Sequence, residues 1–160
     1  FIACSRNYFF SLRKFLDSQI VHIFKAMHCI EYKFRRLIGQ MVSSGDRILI
    51  AVSGGLDSVV MLHLFNRLKL ESSDFSLAIA HLNHLTRGVD SNRDEDFVVQ
   101  LGKELSLETF VEEIDVSALN HNTNTSFQET ARNVRYSFLN RALNKWGGNL
   151  ISQIVLLQLR

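Results

Sequence analysis

The chain contains no proline and only two cysteines. Cys4 and Cys29 form no CxxC pair and no zinc-ligand spacing, so they read as free thiols of a reducing compartment. No apolar run approaches the roughly 20 residues that a helix needs to span a bilayer. No Gly-Lys-Ser/Thr follows the one glycine turn that ends an apolar run, which excludes a Walker A loop, and the dinucleotide pattern G-x-G-x-x-G is absent too. There is no internal repeat and no low-complexity tract. The first residue is Phe1 rather than methionine. With the missing proline, this reads as a fragment or a conceptual translation, with Met27 as the start.

The 160 residues are 46% hydrophobic, enough for a packed core and too apolar for a disordered chain. The formal net charge of +2 conceals an asymmetry. Residues 1–47 carry 8 Lys/Arg and 3 Asp/Glu, whereas residues 48–160 carry 10 and 13. A basic arm before an acidic body could meet nucleic acid or membrane. The plainer reading is the solvated face of an amphipathic helix. Residues 1–26 are set apart as an N-terminal extension, Phe-rich and without an acid before Asp17. An organelle transit segment is one reading of it, and translated upstream sequence or a helical extension another.

Residues 27–43 predict a helix with Ile30, Phe34, Leu37, Ile38 and Met41 on its stripe, stopped at Gly45. Strands are expected at residues 47–52, Phe75–Leu82, Leu107–Ile114 and 149–157. Between them fall helices over residues 57–69, from Ser91, and from Ser126 to Gly147. Ser91-Asn92-Arg93-Asp94 and Ser126-Phe127-Gln128-Glu129 resemble capping boxes. Asp115 to Thr125 reads as a polar loop. The alternation of strand and helix, with continuous apolar strands, predicts an α/β fold with a parallel sheet. Ligands then bind at the carboxyl ends of the strands, where the polar clusters fall.

The first cluster is Ser53-Gly54-Gly55-Leu56-Asp57-Ser58, between the strand at 47–52 and a helix. A glycine turn there aims backbone N–H groups at one point beside the positive end of the helix dipole, which suits a phosphate. Asp57 either caps the helix or holds a divalent cation against the phosphate. The second cluster is His81-Leu82-Asn83-His84-Leu85-Thr86-Arg87-Gly88. His81 and Asn83 could cap the strand end, or the two histidines could bind a metal. Arg87 could face a phosphate. In the third, Glu129, Arg132 and Tyr136 share one helix face with Arg135 beside them. This is either an internal ion pair with a tyrosine or a set of charges presented to a phosphoryl group.

Ser-Gly-Gly-x-Asp-Ser resembles the PP-loop of the N-type ATP pyrophosphatases. The three clusters in this order, with Ser91 to Phe97 between them, resemble the tRNA(Ile)-lysidine synthetase family over roughly residues 30 to 145. The resemblance implies a Rossmann-like sheet with helices on both faces, with residues 27–160 forming an incomplete PP-loop domain. It implies that ATP and Mg2+ activate the wobble cytidine of a tRNA(Ile) with a CAU anticodon. L-lysine then displaces AMP. The residues around Ser53, Gly54, Gly55, Leu56, Asp57 and Ser58 would hold the pyrophosphate part of ATP, the two serines through their hydroxyls. Asp57 would lie near Mg2+. His84, Arg87, Glu129, Arg132 and Arg135 would line the ATP and cytidine side of the cleft. A cytoplasmic location and no membrane are implied, and a homodimer is admitted. Other readings are a different PP-loop tRNA-modifying enzyme and a non-catalytic nucleotide-binding remnant.

The sequence departs from that family in two places. Thr86 stands where a leucine is common. After Ser152 and Gln153 the family's histidine-rich loop with paired aspartates is missing, as if deleted before Ile154, so catalytic competence of the chain as written is in question.

Overall fold

The computed structural model describes residues 29–72, 74–85, 89–120 and 126–152. The expected extension at residues 1–26, the Met27 start and the departure after Ser152 lie outside these residues. The described residues fall in two units, divided after Gln40.

The first unit contributes one helix, α1 (residues 29–38). Glu31 and Arg35, four residues apart, form an ion pair at 3.6 Å along it. The helix ends five residues earlier than the sequence predicts. The Gly39 N–H closes on the Arg35 carbonyl, and the Gln40 N–H bonds back to Leu37, a tightened last turn. Gly45, expected as the stop signal, belongs instead to the turn that feeds the first strand. It has φ +88° and donates its N–H to the Asp74 carbonyl.

The second unit is built on β1 (Arg47–Ala51), α2 (Leu56–Ser72), β2 (Ser76–Asn83), α3 (Val89–Glu104), β3 (Glu108–Glu113), α4 (Val116–Asn120), α5 (Phe127–Trp146) and β4 (Leu150–Ser152). The strands form one sheet in the order β3-β2-β1-β4, and every pairing is parallel. Ile48, Leu49 and Ile50 in β1 are all buried, because a central parallel strand is covered on both faces. That is why its sequence is apolar without alternation.

The two faces separate by residue parity. Leu49, Ala78 and Ala80 pack against Phe138, Leu139 and Ala142 of α5. On the opposite face, Ser152 reaches the Met61 sulfur of α2 at 3.5 Å. There too, α3 approaches β3 so closely that a Cβ on Gly102 would stand 2.0 Å from Thr109 Oγ1. Right-handed crossovers explain the arrangement. Two successive steps from β1 to β3 put α2 and α3 on one side. The return to β4, beyond β1, reverses direction and puts α5 on the other. The sheet therefore reverses its winding between β1 and β4.

Helix α5 keeps both sequence-predicted ends. Ser126 is the N-cap, with its hydroxyl accepting from the Glu129 N–H. Gly147 is the left-handed C-cap at φ +72°. Helix α3 begins at Val89, two residues before the expected cap. Ser91 and Asp94 thus lie inside its first turns, three apart on one face, and both line the cleft described below. The stretch expected as loop from Asp115 contains α4. Asp115 caps it through the Ala118 N–H, and the fully buried Val116 anchors it.

Candidate functional site

A cleft of about 800 Å³ opens over the carboxyl ends of β1 and β2. Its walls are Ala51 to Gly55, Ala80 to His84, Ser91 and Asp94 of α3, and Arg135, Phe138 and Leu139 of α5. The turn after β1 is braced from within. Ser58 is fully buried. Its hydroxyl donates to the Gly55 carbonyl at 2.8 Å and lies 3.2 Å from both the Ser53 N–H and the Ser53 hydroxyl. Ser58 therefore holds the loop's shape and does not face the cleft, contrary to the hydroxyl contact expected of it. Ser53, Gly54 and Gly55 do face it.

Gly54 has φ +86°, a conformation that glycine adopts without strain. A Cβ there would meet Asp94 Cβ at 3.0 Å and Oδ1 at 3.2 Å. A carboxylate thus closes on the loop from α3. The sequence reads Ser91 to Asp94 as a helix start and as part of the stretch that resembles the lysidine synthetase family, but assigns Asp94 no place in the site; the i, i+3 spacing of Ser91 and Asp94 is the signal that could have found it. Asp57 lies in the first turn of α2 with Leu56 before it. Both are exposed and outside the cleft lining.

At the end of β2, His81 is 3% exposed, and its Nδ1 lies 2.7 Å from the Val52 carbonyl. A carbonyl only accepts, so Nδ1 carries the proton. Asn83 donates to Glu95 Oε2 at 3.0 Å, and its Oδ1 accepts from the Leu85 N–H at 2.9 Å. These bonds match the reading in which His81 and Asn83 fix the strand end. They also hold His84 at the cleft wall, with Leu85 in the left-handed region at φ +55°. Burial holds His84 below the usual imidazole range, and the charges of Arg135 and His81 add to this. His81 Nε2 and His84 Nδ1 are both buried without a hydrogen-bond partner among the described residues.

The third cluster divides. Arg135 joins His84 in the main cleft. Glu129 and Arg132 line a second cavity of about 480 Å³ with Ser126, Gln128 and Asn133. The Arg132 guanidinium lies 5.5 Å from the Tyr136 ring centroid. Glu129 and Arg132, expected on the ATP and cytidine side of the cleft, thus line a cavity of their own. Glu129 and Arg132 stand in the first turns of α5, beside Ser126 and Gln128, and Arg135 lies further along the helix next to Phe138 and Leu139. Arg87 lies outside the described residues. Among the described residues no three His, Cys, Asp or Glu side chains converge as a metal site, and no helix is long and apolar enough to cross a membrane.

A phosphate-shaped turn after the first strand, at a reversal of sheet winding, matches a known domain. The PP-loop domain family matches residues 26–153. The chain belongs to the PP-loop family. Among curated relatives, this PP-loop chain is 41% identical over 112 residues to the tRNA(Ile)-lysidine synthase of Dehalococcoides mccartyi, covering 70% of this chain and 24% of the relative. It is 37% identical over 112 residues to that of Thermosipho africanus, covering 70% and 26%. The chain thus spans about a quarter of the length of these relatives. Its fold is similar to the U34-tRNA thiolase NcsA from Methanococcus maripaludis with its [4Fe-4S] cluster. The TM-score is 0.64 at 21% identity, over 76% of this chain and 42% of the thiolase. PP-loop membership implies use of ATP and fits a tRNA-modifying enzyme.

Proposed function

We propose that the chain is the ATP-binding part of a tRNA(Ile)-lysidine synthase, which ligates L-lysine to the wobble cytidine of a CAU anticodon. The observation that carries this is the cleft itself. It joins the glycine turn, the His-x-Asn-His strand end and Arg135 in one wall, and the relatives that are 41% and 37% identical over 70% of this chain are lysidine synthases.

The proposed chemistry uses the residues as they stand. Backbone N–H groups of Gly54 and of the α2 N-terminus receive the polyphosphate, while the Ser53 N–H stays bonded to Ser58. The cytidine O2 attacks the α-phosphorus and pyrophosphate leaves. Arg135 stabilises the charge that develops. The lysine ε-amine then attacks the activated carbon, and AMP leaves with the O2 oxygen. The lysine ammonium gives up its proton to solvent before the attack, and His84, held neutral, adds no positive charge at the cleft wall. A Mg2+ ion fits a carboxylate beside a phosphate cradle, because such ions take one or two carboxylates and complete their shell with phosphate and water. Asp94, against Gly54, would hold it, with Asp57 at the start of α2 as the second candidate. It would neutralise phosphate charge. Glu129 and Arg132 in the second cavity offer the two charges that an amino-acid zwitterion needs.

The test is incorporation of labelled lysine by the full-length protein, with ATP and Mg2+, into a tRNA(Ile) bearing CAU. Incorporation at the wobble cytidine is expected. Modification of a U34 tRNA instead, with no lysine transfer, would favour the second reading, another PP-loop tRNA-modifying enzyme, to which the thiolase-like fold points.

A further inference from the structure

Two imidazole nitrogens in the cleft have no partner among the described residues: His81 Nε2 and His84 Nδ1. The first is the more informative. His81 is buried, and its Nδ1–H is committed to the Val52 carbonyl at 2.7 Å. A neutral imidazole has one N–H, so Nε2 presents a lone pair. A buried acceptor left unpaired is unfavourable, and native structures leave few of them. His81 and His84 both line the same cleft wall, and the two rings are close enough for a charge on one to disfavour a charge on the other. The pair therefore does not hold an anion by itself, and the lone pair of His81 asks for a hydrogen-bond donor.

We infer that His81 and His84 form a subsite for a nucleoside hydrogen-bond donor, an amine of the base or a hydroxyl of the ribose, one bond away from the phosphate turn. This rests on the reading that the cleft binds ATP. His81 spans the two halves of that site. Its Nδ1–H fixes the carbonyl of Val52, the residue just before Ser53, while its Nε2 takes the nucleoside donor. Seating the nucleoside and shaping the phosphate turn are thereby linked through one ring. Where the donor is the base amine, a guanine, whose 6-oxygen puts an acceptor at that point and leaves two lone pairs facing each other, is rejected; where it is a ribose hydroxyl, GTP binds as ATP does.

The test compares binding of four ligands to the unmodified full chain by calorimetry: ATP, purine riboside triphosphate, which lacks the 6-amine, 2′-deoxyATP, and GTP. ATP is expected to bind about tenfold or more tightly than the analogue that lacks the recognised donor, the change that one unpaired buried acceptor produces. A loss with purine riboside triphosphate assigns the amine, and a loss with 2′-deoxyATP assigns the ribose. In the chain carrying His81→Asn, and separately His84→Phe, that preference should collapse to about twofold or less. Equal binding of ATP and both analogues by the unmodified chain would overturn the inference and leave ATP use standing; a trapped water would then satisfy the two nitrogens. A preference that survives both substitutions would also overturn it. Failure of any nucleotide to bind would instead overturn the ATP reading beneath it.

Discussion

Replacing Gly54 with alanine tests the phosphate turn at the point where its shape is most demanding. Gly54 sits at φ +86°, and a left-handed conformation costs an L-residue about 1–2 kcal/mol. The added methyl would stand 3.0 Å from Asp94 Cβ, tight enough that Asp94 must give way by a few tenths of an ångström. Asp94 is half-exposed on a helix, so its retreat adds little. The sum is about 2 kcal/mol of stability. For a chain of this size that lowers the melting temperature by about 4–8 °C. Gly55→Ala is the control. Its Cβ would meet only Ser53 Oγ at 3.5 Å, an ordinary contact, and its φ carries no such strain. Gly55→Ala should melt within about 2 °C of the unmodified chain, yet weaken nucleotide binding about tenfold or more, because the methyl stands where a phosphate must approach the backbone. Thermal melts with and without ATP read both effects. A Gly55→Ala chain that binds ATP as tightly as the parent refutes the cradle. A Gly54→Ala chain with an unchanged melting temperature refutes the strain argument.

Three other expectations follow from the geometry. Gly102→Ala drives a methyl into Thr109 Oγ1 and should destabilise the chain by about 1–3 kcal/mol; Thr109→Ala in the same chain should recover a large part of it, measured as non-additivity in urea unfolding. Ser126→Ala removes the cap of α5 and should destabilise by about 1 kcal/mol, while leaving the far end at Gly147 as protected from hydrogen exchange as before. Acid should weaken the fold in two separate stages. His84 is held below the usual 6.5, so between 6.5 and its folded value the unfolded chain binds the extra proton and stability falls as pH falls; His84→Gln should flatten that stage. Asp46, whose carboxylate accepts from the Ser43 N–H and from Asn149, is held below 3.8. Its contribution is present above 3.8 and lost as pH drops through the folded value, and Asn149→Ala should shrink this second stage.

The parallel sheet was legible because β1 and β2 are buried on both faces and therefore read as unbroken apolar runs. The ends of α5 were legible because a serine cap and a left-handed glycine are local devices, determined by residues within one turn. The site was legible only in part. Ser58 looked like a ligand contact, but its burial beneath the turn commits its hydroxyl to Gly55, and burial is a tertiary fact. Asp94 looked like part of a cap, since a Ser-x-x-Asp spacing has the same period whether it starts a helix or lies one turn inside it. Arg132 and Arg135 are three residues apart and indistinguishable by periodicity. What separates them is how far along α5 the cleft begins: Arg132 lies in the first turns with Ser126 and Glu129, and Arg135 lies beside Phe138 and Leu139 at the cleft. The short α4 was hidden in an Asn-rich stretch whose single signals were Asp115 as a cap and Val116 as an anchor.

The most direct test of the central claim is the fate of ATP. Full-length protein with Mg2+ and a tRNA(Ile) bearing CAU should exchange labelled pyrophosphate into ATP before lysine is added, and should release AMP once lysine is present. Exchange should vanish in Asp94→Asn, and Asp57→Asn measures the share of the second carboxylate. Formation of ADP and phosphate, or no tRNA-dependent exchange at all, would contradict an adenylylating site.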